Sequence, residues 1–116
     1  MFRINYQSIF FAGRPVDFRK SFNGLCGEVR NTIKEDPQSG SLFVFYNRRR
    51  DSLKLLFWEG DGFWLLYKRL EAGTFDIPVR LTDAPTVAVS YEQLQWILTG
   101  VELDSITLRK RYKKAS

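Results

Sequence analysis

The segment that decides the fold runs from residue 42 to residue 70 and reads LFVFYNRRRDSLKLLFWEGDGFWLLYKRL. It contains three runs rich in aromatic and large aliphatic residues, Leu42–Tyr46, Leu53–Trp58 and Phe63–Leu70, and this composition is typical of β-strands. The second and third runs are joined by Glu59-Gly60-Asp61-Gly62, a short segment of turn-forming residues. The pattern predicts three strands that follow one another as an antiparallel meander.

The residues before this segment predict one strand and one helix. Ser8–Ala12 (SIFFA) is a short apolar run that ends at the turn-forming Gly13-Arg14-Pro15, as a first strand would. The next apolar residues recur at intervals of 4, 3, 4 and 4, the spacing of one helical face: Phe18, Phe22, Leu25, Val29 and Ile33. We therefore expect a helix over about residues 18 to 34, with Asp17 as its N-cap and Asp36-Pro37 beyond its end.

The residues after the meander predict a further strand and a second helix. Thr74–Val79 (TFDIPV) is expected to form an edge strand, because Pro78 has no N–H to give to an interior ladder. Ser90-Tyr91-Glu92-Gln93 has the pattern of a capping box, in which the serine and glutamine side chains satisfy free backbone N–H groups. Gly100 is a suitable stop. The pattern predicts a helix over residues 91 to 99.

This order of elements predicts the α+β class. We expect a single domain over residues 1–108, with an antiparallel sheet of four to five strands packed with two main helices, followed by a flexible basic tail over residues 109–116. The first helix should cover one face of the sheet, and the second should close an edge or an end. Leu55, Phe57 and Trp58 should be substantially buried.

The composition excludes most familiar catalytic chemistries. The chain of 116 residues has one cysteine and no histidine, so it has no internal disulfide, no cysteine zinc cluster and no Ser-His-Asp site. Its carboxylates stand at ordinary turn and cap positions, and it has no phosphate-binding glycine motif. We expect no catalytic residues, no metal and no cofactor. The apolar stretches are far shorter than the ~20 residues of a membrane span, and a signal peptide is not apparent, so a cytoplasmic protein is expected.

The net charge of +5 has a definite location in the sequence. The last eight residues hold five basic side chains and no acid: Arg109, Lys110, Arg111, Lys113 and Lys114. Removing these five from the 18 basic residues leaves 13 basic against 13 acidic residues, so the rest of the chain is balanced. A cationic tail favours phosphate partners such as DNA, but a solvated and frayed terminus has the same composition. Both interpretations stay open at this point.

A second basic feature lies inside the meander, where Arg48, Arg49 and Arg50 stand between two predicted strands. Guanidinium groups on a hairpin loop match phosphate oxygens well, and Lys54 is expected to extend the patch along the next strand. The alternative is a charged hairpin that prevents edge-to-edge aggregation, with Asp51 pairing one arginine. Four further candidates for nucleic-acid binding stand in pairs elsewhere: Arg19, Lys20, Lys68 and Arg69.

Five segments carry a resemblance to a known family. They are DFRKSFNGL (17–25), DPQSGSLFVF (36–45), NRRRD (47–51), WEGDGF (58–63) and YKRLE (67–71). In this order they resemble the motifs of the TnpB family, the Orf2-like accessory proteins of the insertion sequence 66 class of bacterial transposable elements. The likeness runs from about Ser8 to Asp104, outside the basic tail. Departures are mild: Phe18 stands where Met is usual, Ser21 for Gly, Asn23 for Asp and Glu59 for Asp.

The resemblance implies a protein needed for transposition beside a separate, larger transposase that carries the catalytic acids. It implies surface contacts at the charged motif residues: Arg19, Lys20, Arg48, Arg49, Arg50, Asp51, Lys68 and Arg69. We expect a non-catalytic accessory factor that contacts element DNA through the hairpin and the tail, and that would then be nucleoid-associated. The alternative is an adaptor that docks on the transposase without binding DNA, for which exposed arginines are also well suited.

Overall fold

The computed structural model describes residues 8–79 and 83–100 of the chain. They form five strands and two α-helices in the following order along the chain. The elements are β1 (Ile9–Ala12), α1 (Phe22–Glu28), β2 (Leu42–Tyr46), β3 (Ser52–Glu59), β4 (Gly62–Arg69), β5 (Thr86–Val89) and α2 (Tyr91–Thr99), with a π-helical segment, Val29–Ile33, directly after α1. Among these residues, no helix is long and apolar enough to cross a membrane.

The five strands form one sheet in the order β4-β3-β2-β1-β5. The meander of β2, β3 and β4 is antiparallel as expected, and β5 is antiparallel to β1. β1 and β2 run parallel, with Ile9 opposite Leu42, because the chain crosses through α1 before it returns to the sheet. The prediction of an α+β domain with two helices is confirmed, but the sheet is mixed rather than wholly antiparallel.

Both faces of the sheet are covered at its centre. All five residues of β2 are buried, which requires packing on either side of the strand. The register places Phe45 and Lys54 on one face, which we call the α1 face because Lys54 reaches the residues before that helix. Lys68 lies on the opposite face, the α2 face, and its Nζ donates to the carbonyl of Leu98 at 3.2 Å. This bond places the C-terminal part of α2 beside the end of the edge strand β4.

The first helix begins later than predicted, at Phe22 rather than at residue 18. Its first intrahelical bond runs from the N–H of Leu25 to the carbonyl of Ser21. The carbonyls of Phe18 and Lys20 accept hydrogen bonds from the ammonium of Lys54 instead of from the next helical turn. Asp17 is accordingly not the N-cap, since its Oδ1 accepts from the N–H of Arg19 in a tight turn.

The fifth strand is also placed differently from the prediction. Thr74–Val79 is not a strand, and the backbone N–H of Phe75 donates instead to the carbonyl of Arg50 at 2.8 Å. Residues 86–89 fill the position beside β1, and Gly13 allows the close approach that this requires. A Cβ at Gly13 would lie 2.2 Å from the carbonyl oxygen of Ala84, so the contact excludes a side chain there.

The second helix has the predicted ends. The N–H of Gln93 donates to Ser90 Oγ at 3.1 Å, and the N–H of Ser90 donates to Gln93 Oε1 at 2.8 Å, which completes the capping box. Gly100 ends the helix with a φ of 93°, a backbone conformation that favours glycine. Leu94 and Ile97 are buried and attach the helix to the core.

The core is centred on β2 and β3. Leu55 and Phe57 are buried as predicted, at 6% and 1% exposed, whereas Trp58 is only half-buried. Leu66 of β4 lies directly opposite Leu55 on the same face but is only half-buried. The two leucines therefore form a matched pair for measuring how much side-chain burial contributes to the free energy of unfolding.

We expect Leu55→Ala to lower the free energy of unfolding by about 2–5 kcal/mol, because the surrounding core cannot close the cavity. Leu66→Ala should cost clearly less, since its side chain already faces water in part. Urea denaturation of both variants measures the difference. A cost below about 1 kcal/mol for Leu55→Ala, or equal costs for both variants, contradicts the assigned burial.

Candidate nucleic-acid interface

Arg48, Arg49 and Arg50 lie on the loop that joins β2 to β3, and all three side chains are exposed. The loop is closed by the side chain of Asn47, whose Oδ1 accepts from the backbone N–H of Asp51 at 3.1 Å and from that of Ser52 at 3.2 Å. The N–H of Arg50 also donates to the carbonyl of Asn47 at 3.0 Å. Because its backbone is fixed in this way, the loop presents the arginines in a defined arrangement.

The three arginines are held to different degrees. Arg50 has a φ of 60°, its guanidinium lies 6.0 Å from the centre of the Tyr46 ring, and its carbonyl accepts from Phe75. Arg49 Nε lies 3.9 Å from Asp51 Oδ2, while its side chain is 85% exposed, so this ion pair is weak. Arg48 makes no ion pair within the described residues. Arg48 and Arg49 are therefore the two side chains most available to an anionic partner.

Asp51 mainly stabilises the loop through hydrogen bonds and does little to neutralise the charge of its arginines. Asn47 Nδ2 donates to Asp51 Oδ1 at 2.6 Å, and Ser52 Oγ donates to the same oxygen at 3.3 Å. The bond from Asn47 is the largest cause that lowers the pKa of Asp51, with Ser52 and Arg49 adding to it against a partial desolvation. The carboxylate is thus ionised at neutral pH and fixed to the loop backbone.

Arg19 and Lys20 each have an acidic partner close in sequence. Arg19 binds Asp17 with two nitrogens, at 2.9 Å from Nε and 2.6 Å from Nη2 to Oδ2. This hydrogen bonding lowers the pKa of Asp17 to about 2. The ammonium of Lys20 pairs with Glu28, and this bond is also the main cause that lowers the pKa of Glu28. Both cations are therefore largely compensated.

Lys68 and Arg69 end β4 at the same end of the sheet as the arginine loop, because Arg69 lies opposite Ser52 and Lys68 opposite Leu53. Arg69 is 66% exposed and lies 3.5 Å from Glu71. We call this end of the sheet the basic end and define it by five residues: Arg48, Arg49, Arg50, Lys68 and Arg69. The opposite end of β3 and β4 is the acidic turn, defined by Glu59 and Asp61 around Gly60, whose φ is 62°.

Lys54 does not extend this surface, so that prediction is wrong. The residue is only 5% exposed, and its Nζ donates to the carbonyls of Phe18 at 2.8 Å and of Lys20 at 2.7 Å. The rings of Phe18 and Tyr67 lie 4.8 and 5.2 Å from the same nitrogen. Burial lowers the pKa of Lys54, whereas the two carbonyls and the ring faces favour its charged form. The sequence did contain a sign of this burial, because Lys54 is the one cation in the apolar run Leu53–Trp58.

A cleft of about 380 Å³ lies beside the arginine loop. Its walls come from the loop and from the chain segment before α1: Pro15, Val16, Asp17, Phe18, Asn47, Arg48 and Arg49. The N–H of Val16 donates to the carbonyl of Tyr46 at 3.0 Å, which joins these two segments. Tyr67 is 56% exposed and packs edge-on against Phe18. The basic end thus combines exposed guanidinium groups with an accessible aromatic ring.

The predicted basic tail lies outside the described residues: Arg109, Lys110, Arg111, Lys113 and Lys114. Helix α2 ends close to the basic end, since the carbonyl of Leu98 accepts from Lys68. In the described part of the chain, no group of three or more Cys, Asp or Glu side chains is arranged to hold a metal ion.

The fold and the basic loop define a small α+β protein with a cationic surface at one end of its sheet. Residues 7–107 match the family model described as IS66 Orf2 like protein. The chain therefore belongs to the IS66 Orf2-like family, whose members are accessory proteins of transposition and are not known as catalysts. This agrees with the family that the five sequence motifs resemble.

Two relatives from Sinorhizobium fredii (strain NBRC 101917 / NGR234) cover most of the chain. The uncharacterized protein y4jC is 43% identical over 94 residues, which are 81% of this chain and 79% of the relative. The uncharacterized protein y4hO is 33% identical over 94 residues, which are 81% of this chain and 80% of the relative. No solved structure matches the chain.

The lowered pKa of Asp51 predicts an acid-sensitive contribution to stability. The folded-state pKa lies below the ordinary value of 3.8, so the carboxylate stabilises the fold above about pH 5, and this contribution is lost as the pH falls through the folded pKa. We expect Asp51→Asn to lower the free energy of unfolding by about 1–2 kcal/mol at pH 6. The difference from wild type should narrow toward pH 3. Urea denaturation at both pH values measures it, and an unchanged difference contradicts the prediction.

Proposed function

We propose that this protein is a non-catalytic accessory factor of transposition that contacts DNA through the basic end of its sheet. The observation that carries the proposal is the exposure of Arg48 and Arg49 on a loop whose backbone is fixed by Asn47. A rigid base lowers the entropy that two guanidinium groups lose when they bind phosphate oxygens.

The distribution of ion pairs supports the same surface. Arg19, Lys20 and Arg69 each have a carboxylate partner within their own segment, so they add little uncompensated charge. Arg48 and Arg49 have at most the weak contact with Asp51. Binding of a phosphate there would displace few existing interactions. The paired cations Arg19, Lys20 and Arg69, together with Lys68, would lie at the margin of the contact.

The exposed aromatic ring at the basic end supports contact with unpaired DNA as well. The ring of Tyr67 packs edge-on against Phe18, so the fold supports it from one side. The tyrosine is nevertheless 56% exposed. A supported ring stacks on a base with less loss of side-chain freedom. DNA with unpaired bases next to a duplex would therefore use both the arginines and this ring.

The tail is proposed to add attraction that does not depend on DNA sequence. Its five cations lie between Arg109 and Lys114 in the sequence. Phosphate contacts of this kind release counterions and act alike on all DNA. In this proposal residues 1–108 form the domain, residues 109–116 form a basic extension, and DNA binding would keep the protein at the nucleoid.

An adaptor that docks on the transposase is the second candidate. Arginine and exposed aromatic residues are enriched in protein interfaces, and Trp64 and Trp96 are 45% and 40% exposed. In that case the arginine loop would pair with acidic groups of the transposase rather than with phosphates.

A charge-matched pair of double variants tests the DNA contact. Arg48→Gln with Arg49→Gln should weaken binding to duplex DNA carrying the element ends and flatten the salt dependence by about 1.8, or about 0.9 for each lost phosphate contact. Arg30→Gln with Lys34→Gln removes two exposed cations from the segment after α1 and should change neither quantity much. Fluorescence anisotropy over a salt series measures both.

The companion measurement separates the two candidate functions. Deletion of residues 109–116 should weaken binding to element-end and random DNA alike, whereas the loop variant should reduce the preference between them if the loop positions the protein on a site. Unchanged DNA binding by the loop variant, together with lost co-purification with the transposase, contradicts the DNA contact and supports the adaptor.

A further inference from the structure

The longer edge of the sheet is unpaired within the described residues. β4 is the outermost strand and has eight residues, whereas β5 at the other edge has four. Alternate residues of an edge strand direct their N–H and C=O groups away from the sheet. β4 therefore presents backbone donors and acceptors at alternate residues.

This edge has few of the features that prevent an edge strand from pairing with a strand of another molecule. The pairing with β3 is continuous from Ser52–Arg69 to Glu59–Gly62, so no bulge interrupts it, and β4 contains no proline. Its central residues, Leu65 and Leu66, are only half-buried, and cations stand at one end alone. A long, regular and apolar edge is a template for another strand.

The charges along the edge indicate which strand it fits. β4 begins directly after Asp61 of the acidic turn and ends with Lys68 and Arg69. A second copy of β4 in antiparallel orientation brings the basic end of each strand to the acidic turn of the other. The edge is thus complementary in charge to itself, as the isologous interface of a two-fold dimer requires.

We propose that two copies of this chain pair through β4 in antiparallel orientation and form one continuous ten-stranded sheet. In a two-fold pairing each face of one sheet continues into the same face of the other, so a central residue lies opposite its own copy. With Leu65 at the centre, Tyr67 lies opposite the partner's Phe63, and Arg69 lies next to the partner's Asp61, which comes just before β4. With Leu66 at the centre, Arg69 would face the partner's Phe63, and the ion pair would be lost.

The interface of one strand pair is small compared with that of a permanent dimer, so association is reversible and depends on concentration. The two-fold axis passes between the two β4 strands and places the two arginine loops at opposite ends of the joined sheet. The inference does not depend on whether those loops bind DNA.

Sedimentation equilibrium with charge-reversal variants tests the pairing. The wild type should approach twice the 13.6 kDa mass of one chain as its concentration rises. Asp61→Arg and Arg69→Asp should each weaken the dimer about tenfold, because the reversed charge is met twice across the two-fold axis. An equimolar mixture of the two variants should dimerise, since every Arg then faces an Asp. Asp83→Arg, near the opposite edge, should dimerise like the wild type.

A cysteine pair tests the register without any change of charge. Leu65→Cys should form a disulfide-linked dimer on mild oxidation with diamide, because residues directly opposite in antiparallel strands lie within the range of a disulfide. Tyr67→Cys should not, since its own copy lies several residues away along the strand.

A protein that stays monomeric at every concentration overturns the proposal. So does a dimer that both charge reversals leave intact, or one that Asp83→Arg abolishes. If either charge variant fails to fold by circular dichroism, the comparison of Leu65→Cys with Tyr67→Cys decides, and equal cross-linking of the two contradicts the pairing.

Discussion

The ammonium of Lys54 is the interaction on which the basic end of the structure depends. It stands on an interior strand, is 5% exposed, and binds the carbonyls of Phe18 and Lys20 between two aromatic rings. A buried cation is costly unless its protons are satisfied, and a buried carbonyl is costly without a donor. Each group here satisfies the other, which fixes the chain before α1 to β3.

Two features of the surface follow from this anchor. The fixed segment also binds β2, through the N–H of Val16 and the carbonyl of Tyr46, and forms one wall of the cleft beside Arg48 and Arg49. The ring of Phe18 supports the exposed Tyr67. The cations of the basic end therefore lie next to a chain segment that Lys54 binds to β3. The acidic turn lies at the other end of β3 and β4.

The parts of the fold that depend on near neighbours could be predicted from the sequence. The meander over residues 42–70, the arginine loop and the capping box of Ser90 each arise from strand composition or turn chemistry within a few residues. The parallel pairing of β1 with β2 and the position of β5 depend on contacts between distant segments, which no local pattern contains. The late start of α1 and the burial of Lys54 have one cause, since the carbonyls that would begin the helix bind that side chain. Ion pairs such as Arg19 with Asp17 likewise depend on rotamers that spacing does not determine.

Amide hydrogen exchange of Lys54→Met, compared with wild type, tests the role of this anchor most directly. Methionine keeps the length and the apolar stem of lysine but donates no hydrogen bond. We predict that protection falls at Val16 and Lys20 and across the loop at Arg50, while Val44 and Leu56 in the central strands stay protected. Unchanged protection at Val16, Lys20 and Arg50 would show that the segment and the loop are held without Lys54, and that this side chain is not their anchor.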